Sequence, residues 1–123
     1  GIYDFPEALR QPGSNRGLVE LWWHRAYLGP RFAELNRSPL VSPVYAPRSI
    51  LKAFPPTYLS VGSEDSLVGQ SLAMARALAW ENVPVTLSVL PGVDHAFSYL
   101  EHALPGVTPE FERIFVWLRQ RTG

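Results

Sequence analysis

The chain has 123 residues, 46% apolar and 18% charged, the balance of one ordinary folded domain. Eleven basic residues cancel eleven acidic ones, so nothing in the charge recommends nucleic acid or an anionic membrane as a partner. Without cysteine there is no disulfide and no thiolate metal site, and no apolar run approaches the ~20 residues of a membrane span.

Residues 1–16, rich in Pro, Gly, Ser and Asn, read as a loop. The opening Gly1-Ile-Tyr-Asp-Phe-Pro has neither a methionine nor the pattern of a signal peptide, which fits a piece of a longer protein. Composition leaves the compartment open, with the cytoplasm as the default. A helix is expected from Leu18 to Leu28, halted by Gly29-Pro30 and apolar on more than one side through Leu18, Val19, Leu21, Trp22, Trp23, Ala26 and Tyr27. Pro30, Pro39, Pro43 and Pro47 make the next stretch irregular, with one helical turn near Ser49 to Ala53.

Pro56-Thr-Tyr-Leu-Ser-Val61 is β-branched and aromatic and ends at Gly62, which predicts a strand. From Leu67 to Glu81 the spacing of Val68, Leu72, Ala75 and Ala79 predicts a helix buried on that face. Val83 to Leu90 reads as a second strand, with Pro84 tolerated near its start. For the last helix, Thr108 is the expected cap, Pro109 the first helical residue, and Glu110 the acid at the positive end of the dipole. Phe111, Ile114, Phe115 and Leu118 form its expected buried stripe, and Arg119 and Arg121 suit its far end.

Strand, helix, strand, loop, helix implies an α/β chain with two parallel strands, a right-handed crossover and flanking helices. A two-stranded parallel sheet is incomplete without further strands or a partner. The chain is therefore expected to self-associate or to pair with a missing N-terminal half. It divides into residues 1–39, a loop and helix of cap or connection type, and residues 40–123, which carry the chemistry.

In open α/β sheets function gathers beyond the carboxyl ends of the strands. Asp65 lies three residues past Gly62 on the first such loop, and His95 lies five past Leu90 on the next. Parallel neighbours are ~4.8 Å apart, so the two side chains can meet. A carboxylate accepting from Nδ1–H of an imidazole leaves Nε2 free as a base, which is what an activated serine requires. Asp65 or Ser66 equally suits a turn or a helix cap, and Glu64 and Asp94 are rival acids. Asp94 ranks below Asp65, since side chains adjacent in the chain tend to diverge.

No Gly-x-Ser-x-Gly occurs. Gly69-Gln-Ser71-Leu-Ala73 approximates one, but Ser71 should lie in the first turns of a helix rather than on a sharp strand-to-helix turn. Trp22 and Trp23, and Phe97 beyond the histidine, are candidates to line an apolar pocket, although the tryptophan helix would also suit packing on the sheet. His24 and His102 are expected at the surface. The scattered histidines make no metal site, and there is no P-loop or dinucleotide fingerprint.

Taken in order, Pro55-Pro56-Thr57, Gly62-x-x-Asp65-x-Leu67, Val83-Pro84-Val85-Thr86 and Pro91-Gly92-x-x-His95-x-Phe97, followed by a terminal helix, form a series. It resembles the C-terminal part of α/β-hydrolase-fold esterases, closest to the hormone-sensitive-lipase-like carboxylesterases, over residues 40–121 and only loosely over 1–39. Ser66 and Gly69 depart from the pattern, where proline and a second acid are common. Asp65-x-x-Val68-x-x-Ser71 is also similar to prolyl-oligopeptidase-like peptidases. The resemblance implies a serine hydrolase of small carboxylic esters with Asp65 as acid and His95 as base, and no cofactor. It also implies a nucleophile in a Gly-Asp-Ser-Ala-Gly-Gly-like elbow and a His-Gly-Gly oxyanion motif, both preceding Gly1. The competing class is a non-catalytic binding module on the same scaffold.

Overall fold

The two β-rich runs do pair. β1 (Thr57–Gly62) and β2 (Val85–Leu90) are parallel, in register from Thr57 opposite Val85 to Gly62 opposite Leu90. This computed structural model describes residues 16–100 and 103–122, without the side chains of 16–21 and of Leu100. The loop expected over residues 1–16, apart from Arg16, and the surface placement of His102 fall outside the described residues. Both strands start just after a proline, which has no amide to give a ladder. Pro84 serves only through its carbonyl, which accepts from the Thr57 amide at 2.9 Å.

Helix α1 (Arg16–Leu28) stops at Gly29 as expected. The Pro-rich stretch is less irregular than its composition suggests. It holds a 3-10 turn (Gly29–Arg31), helix α2 (Phe32–Leu35), a second 3-10 turn (Pro43–Tyr45) and helix α3 (Arg48–Leu51). Each proline stands at the first or second position of a turn or just outside one, where its fixed φ helps and its missing amide costs nothing.

The crossover helix α4 (Val68–Trp80) lies close to its expected span, but its buried face differs. Ala75 and Leu78 are buried, whereas Leu72 is 46% exposed and Ala79 is also exposed. The helix is turned toward the row Ser71, Ala75, Leu78, the other i, i+4, i+7 line available to the sequence. Its exit decides the matter. Val83 N–H reaches the Leu78 carbonyl and Asn82 N–H the Ala79 carbonyl, both at 3.0 Å, with Asn82 left-handed at φ 61°. This six-to-one, five-to-two ending brings Val83 onto Leu78. Those two side chains and Leu51 form the core, packed by Phe54, Met74 and Val85. Each such buried side chain stabilises the fold by about 1.5–3 kcal/mol.

Helix α5 (Val107–Thr122) holds the largest departure from expectation. It starts at Val107, so Thr108 and Pro109 stand inside the first turn. Glu110 is the acid of the first turn, as expected, but it is fully buried. Phe111 and Ile114 are half-buried, but Phe115 and Leu118 of the expected stripe are 55% and 42% exposed. The helix instead presents Glu110, Ile114 and Trp117 to the sheet. Side chains of paired residues on parallel strands share a face, and here that face is polar: Tyr58, Ser60, Thr86 and Ser88. Glu110 Oε1 accepts from Tyr58 at 3.0 Å and Ser60 at 2.6 Å, and Oε2 accepts from Ser88 at 2.9 Å and Arg113 Nε at 2.9 Å. Two turns on, Trp117 Nε1 donates to Thr86 Oγ1 at 3.0 Å and meets the Tyr58 ring edge-on.

Burial raises the Glu110 carboxyl, but the donors Ser60, Arg113, Ser88 and Tyr58 outweigh it and hold the group below the ordinary range. Burial also pushes the Tyr58 hydroxyl up. Among the described residues the sheet has two strands only, so β1 and β2 each keep one open edge. No described helix is long and apolar enough to cross a membrane.

Candidate functional site

Beyond the carboxyl ends of β1 and β2 the two loops are laced together. Ser63 N–H donates to the Leu90 carbonyl at 2.8 Å, extending the ladder, and Glu64 N–H donates to the Val93 carbonyl at 3.0 Å. Gly92, left-handed at φ +67°, turns its own N–H onto Ser63 Oγ at 2.8 Å. The approach is so close that any Cβ on Gly62 would overlap the Val93 carbonyl oxygen. Glycine at 62 is therefore a requirement of the site, not only the end of a strand.

That lacing brings the two sequence candidates together. Asp65 Oδ2 lies 3.0 Å from His95 Nδ1. Asp65 is 8% exposed, and its other oxygen accepts from the Leu67 amide at 2.8 Å. One carboxylate thus fills both roles weighed for it, turn former at the entry to α4 and partner of the imidazole. The His95 side chain is 61% exposed. With Nδ1 held by the carboxylate, the Nδ1–H tautomer is favoured and Nε2 carries the lone pair. Among the described residues no cluster of three His, Cys, Asp or Glu could hold a metal ion.

The other candidates are placed as follows. Asp94 turns an oxygen to the backbone N–H of His95 at 2.7 Å, and Glu64 accepts from Ser63 Oγ at 3.3 Å, so neither of these bonds reaches the ring. Ser71 is the fourth residue of α4, inside a helix as expected. Asp65, His95, Phe97, Phe111 and Ile114 line a common recess of 410 Å³, with Ser60 and Glu110 at its sheet side. Trp22 and Trp23 do not line it. They are 61% and 62% exposed on α1 and meet edge-on at 5.0 Å, and the main neighbours of α1 are the Gly29–Arg31 turn and α2 rather than the sheet. His24 is half-buried rather than superficial.

Two features escaped the sequence. Ala96, next to His95, is left-handed at φ 55°, a conformation that costs a residue with a Cβ about 1–2 kcal/mol and that turns the chain into the 3-10 stretch Phe97–Leu100. No residue-type signal marks it. Glu110 did leave a signal: Leu59-Ser60-Val61 and Leu87-Ser88-Val89 are the same triplet, and they pair in register. Two serines side by side on a buried sheet face require an acceptor from the covering helix.

The sequence matches the family described as alpha/beta hydrolase fold over residues 4–99, which extends well ahead of residue 40, where the motif resemblance becomes firm. Mouse hormone-sensitive lipase is 32% identical over 93 residues, which is 76% of this chain and 11% of the mouse protein. Two solved structures share the fold. A hormone-sensitive lipase from a metagenome library, 24% identical, superposes with a TM-score of 0.74 over 98% of this chain and 40% of its own. Carboxyl esterase 2 from the fungus Tuber melanosporum, 25% identical, gives 0.71 over 89% and 36%. The chain thus spans well under half the length of each of these relatives. By the match over most of its residues, by these relatives and by the parallel strands with their laced loops, the chain belongs to the alpha/beta hydrolase fold family, on its hormone-sensitive-lipase-like side.

Proposed function

We propose that this chain is the C-terminal portion of a serine hydrolase of small carboxylic esters, supplying Asp65 as acid and His95 as base. The observation that carries the reading is the 3.0 Å contact between Asp65 Oδ2 and His95 Nδ1 inside an apolar-walled recess. Asp65 orients the ring and stabilises the imidazolium; His95 Nε2 takes the proton of a serine hydroxyl as that oxygen attacks the ester carbonyl. His95 then protonates the departing alcohol and later activates the water that hydrolyses the acyl-enzyme. The serine and the oxyanion donors come from polypeptide preceding Gly1. Two facts support this: no Gly-x-Ser-x-Gly occurs in the 123 residues, and the chain covers a minor part of its relatives.

Phe97 at the recess is the substrate-facing residue of the three aromatic candidates, and Trp22 and Trp23 would contribute only through the rest of the protein. The names of the relatives, lipases and esterases, favour an ester over a peptide substrate. The missing half also supplies what covers the open edges of β1 and β2 and the exposed Leu72, Trp80, Phe115 and Leu118. Alone, the chain should be inactive and should self-associate, which light scattering reads directly. The decisive experiment is His95→Ala in the full-length protein: turnover of a short p-nitrophenyl ester should fall by at least a thousandfold. Unchanged turnover would remove His95 from the mechanism, and a wild type without turnover would leave a binding module on a hydrolase scaffold.

A further inference from the structure

We infer that Ser63 is a positioning residue for the proposed reaction, setting the distance between the acid and the base without touching either. Three hydrogen bonds join the two functional loops ahead of Asp65 and His95: Ser63 N–H to Leu90 O, Glu64 N–H to Val93 O, and Gly92 N–H to Ser63 Oγ. The first two are backbone to backbone and the same for any residue type. The third depends on a side chain, and it fastens the middle of the Pro91–Val93 turn, three residues before the histidine.

Gly92 makes this tie mechanical. Its φ of +67° swings the turn so that the amide faces the β1 loop, and Ser63 Oγ meets it at 2.8 Å. Without that acceptor the amide turns to water, since the site is exposed, and the stability cost is small, about 0.5–1.5 kcal/mol. The cost to geometry is larger. His95 is 61% exposed, so little packing holds its ring against Asp65. A displacement of the order of 1 Å at a reacting group can cost as much as a hundredfold in rate. Ser63 thus acts on the chemical step through the histidine loop and leaves the recess that receives the ester unchanged.

The inference rests on the hydrolase reading, and the test separates the two. In the full-length protein, Ser63→Ala should lower kcat for a p-nitrophenyl ester about tenfold with KM unchanged, and Ser63→Thr, which keeps the hydroxyl, should restore it. Hydrogen exchange of the Gly92 amide should quicken in the alanine variant and not in the threonine one. Wild-type kcat in Ser63→Ala, alongside an inactive His95→Ala, overturns the inference and leaves the reading standing. A fall in kcat that Ser63→Thr does not reverse also overturns it. Full activity in His95→Ala removes both.

Discussion

Replacing Glu110 tests the least expected feature of the fold. In Glu110→Gln the amide oxygen can still accept from Tyr58 and Ser60, but its NH2 faces Ser88 and Arg113, a donor set against donors. Ser88 can rotate its hydroxyl to accept, and Arg113, 55% exposed at its side chain, can turn to water. The charge-assisted bonds are lost, and each hydrogen bond to an ionised group is worth about 1.5–3 kcal/mol. A loss of about 2–3 kcal/mol is expected for glutamine. Alanine, which strands three hydroxyls and leaves a void, should lose about 3–5 kcal/mol. With a urea slope of about 1–3 kcal/mol/M, glutamine should lower the midpoint by about 0.7–3 M, read by fluorescence of Trp117 and its fellows.

The same carboxyl predicts a pH dependence. Its folded value lies below the ordinary one, because four donors favour the ionised form over the burial that opposes it. The stability it contributes is therefore present above the unfolded glutamate value of about 4.3. It is lost as pH falls from there through the depressed folded value, where a proton must displace a donor. Wild type should lose stability in that acid window, and Glu110→Gln should lose less. An unmoved urea midpoint, or an acid slope that persists unchanged in the glutamine variant, would refute the assignment of Glu110 as the ionised hub of the α5–sheet contact.

Three further outcomes are expected. Gly62→Ala drives a Cβ into the Val93 carbonyl and should cost about 1–3 kcal/mol as the loops part, with the ester turnover proposed for the full-length protein falling; a neutral result in both assays would contradict the close approach. Asn82→Gly relieves the left-handed residue that ends α4 and should raise the stability read by thermal unfolding by a few tenths of a kcal/mol, whereas Asn82→Val should lower it by more than about 1 kcal/mol. Leu78→Ala empties the centre of the core and should cost about 2–5 kcal/mol in urea denaturation, while Leu40→Ala, at a side chain 97% exposed, should change stability by less than about 0.5 kcal/mol.

Much of the fold was legible because its signals are local. Gly29-Pro30 stops α1, Gly62 ends β1, and the strand–helix–strand order alone gives a parallel pair. Asp65 and His95 were legible because each follows a strand by a few residues, and parallel strands set neighbouring loops side by side. What escaped was relational. Val68, Leu72 and Ala79 fit a helical face as well as Ser71 and Leu78 do, and the choice was made by Val83 folding back onto Leu78. Glu110 was legible as the acid of the first turn but not as a buried hub, because its strand partners sit 22 to 52 residues away. Only the in-register repeat of Leu-Ser-Val hinted at them. The left-handed Ala96 has no marker at all, since alanine is an ordinary helix former.

The pairing of Asp65 with His95, on which the proposed mechanism depends, is tested most directly by NMR of the His95 ring nitrogens in the full-length protein. In the neutral imidazole the proton should reside on Nδ1, with a low-field Nδ1–H resonance that disappears in Asp65→Ala and persists in Asp94→Ala. A ring protonated on Nε2, or a resonance indifferent to Asp65, would contradict it.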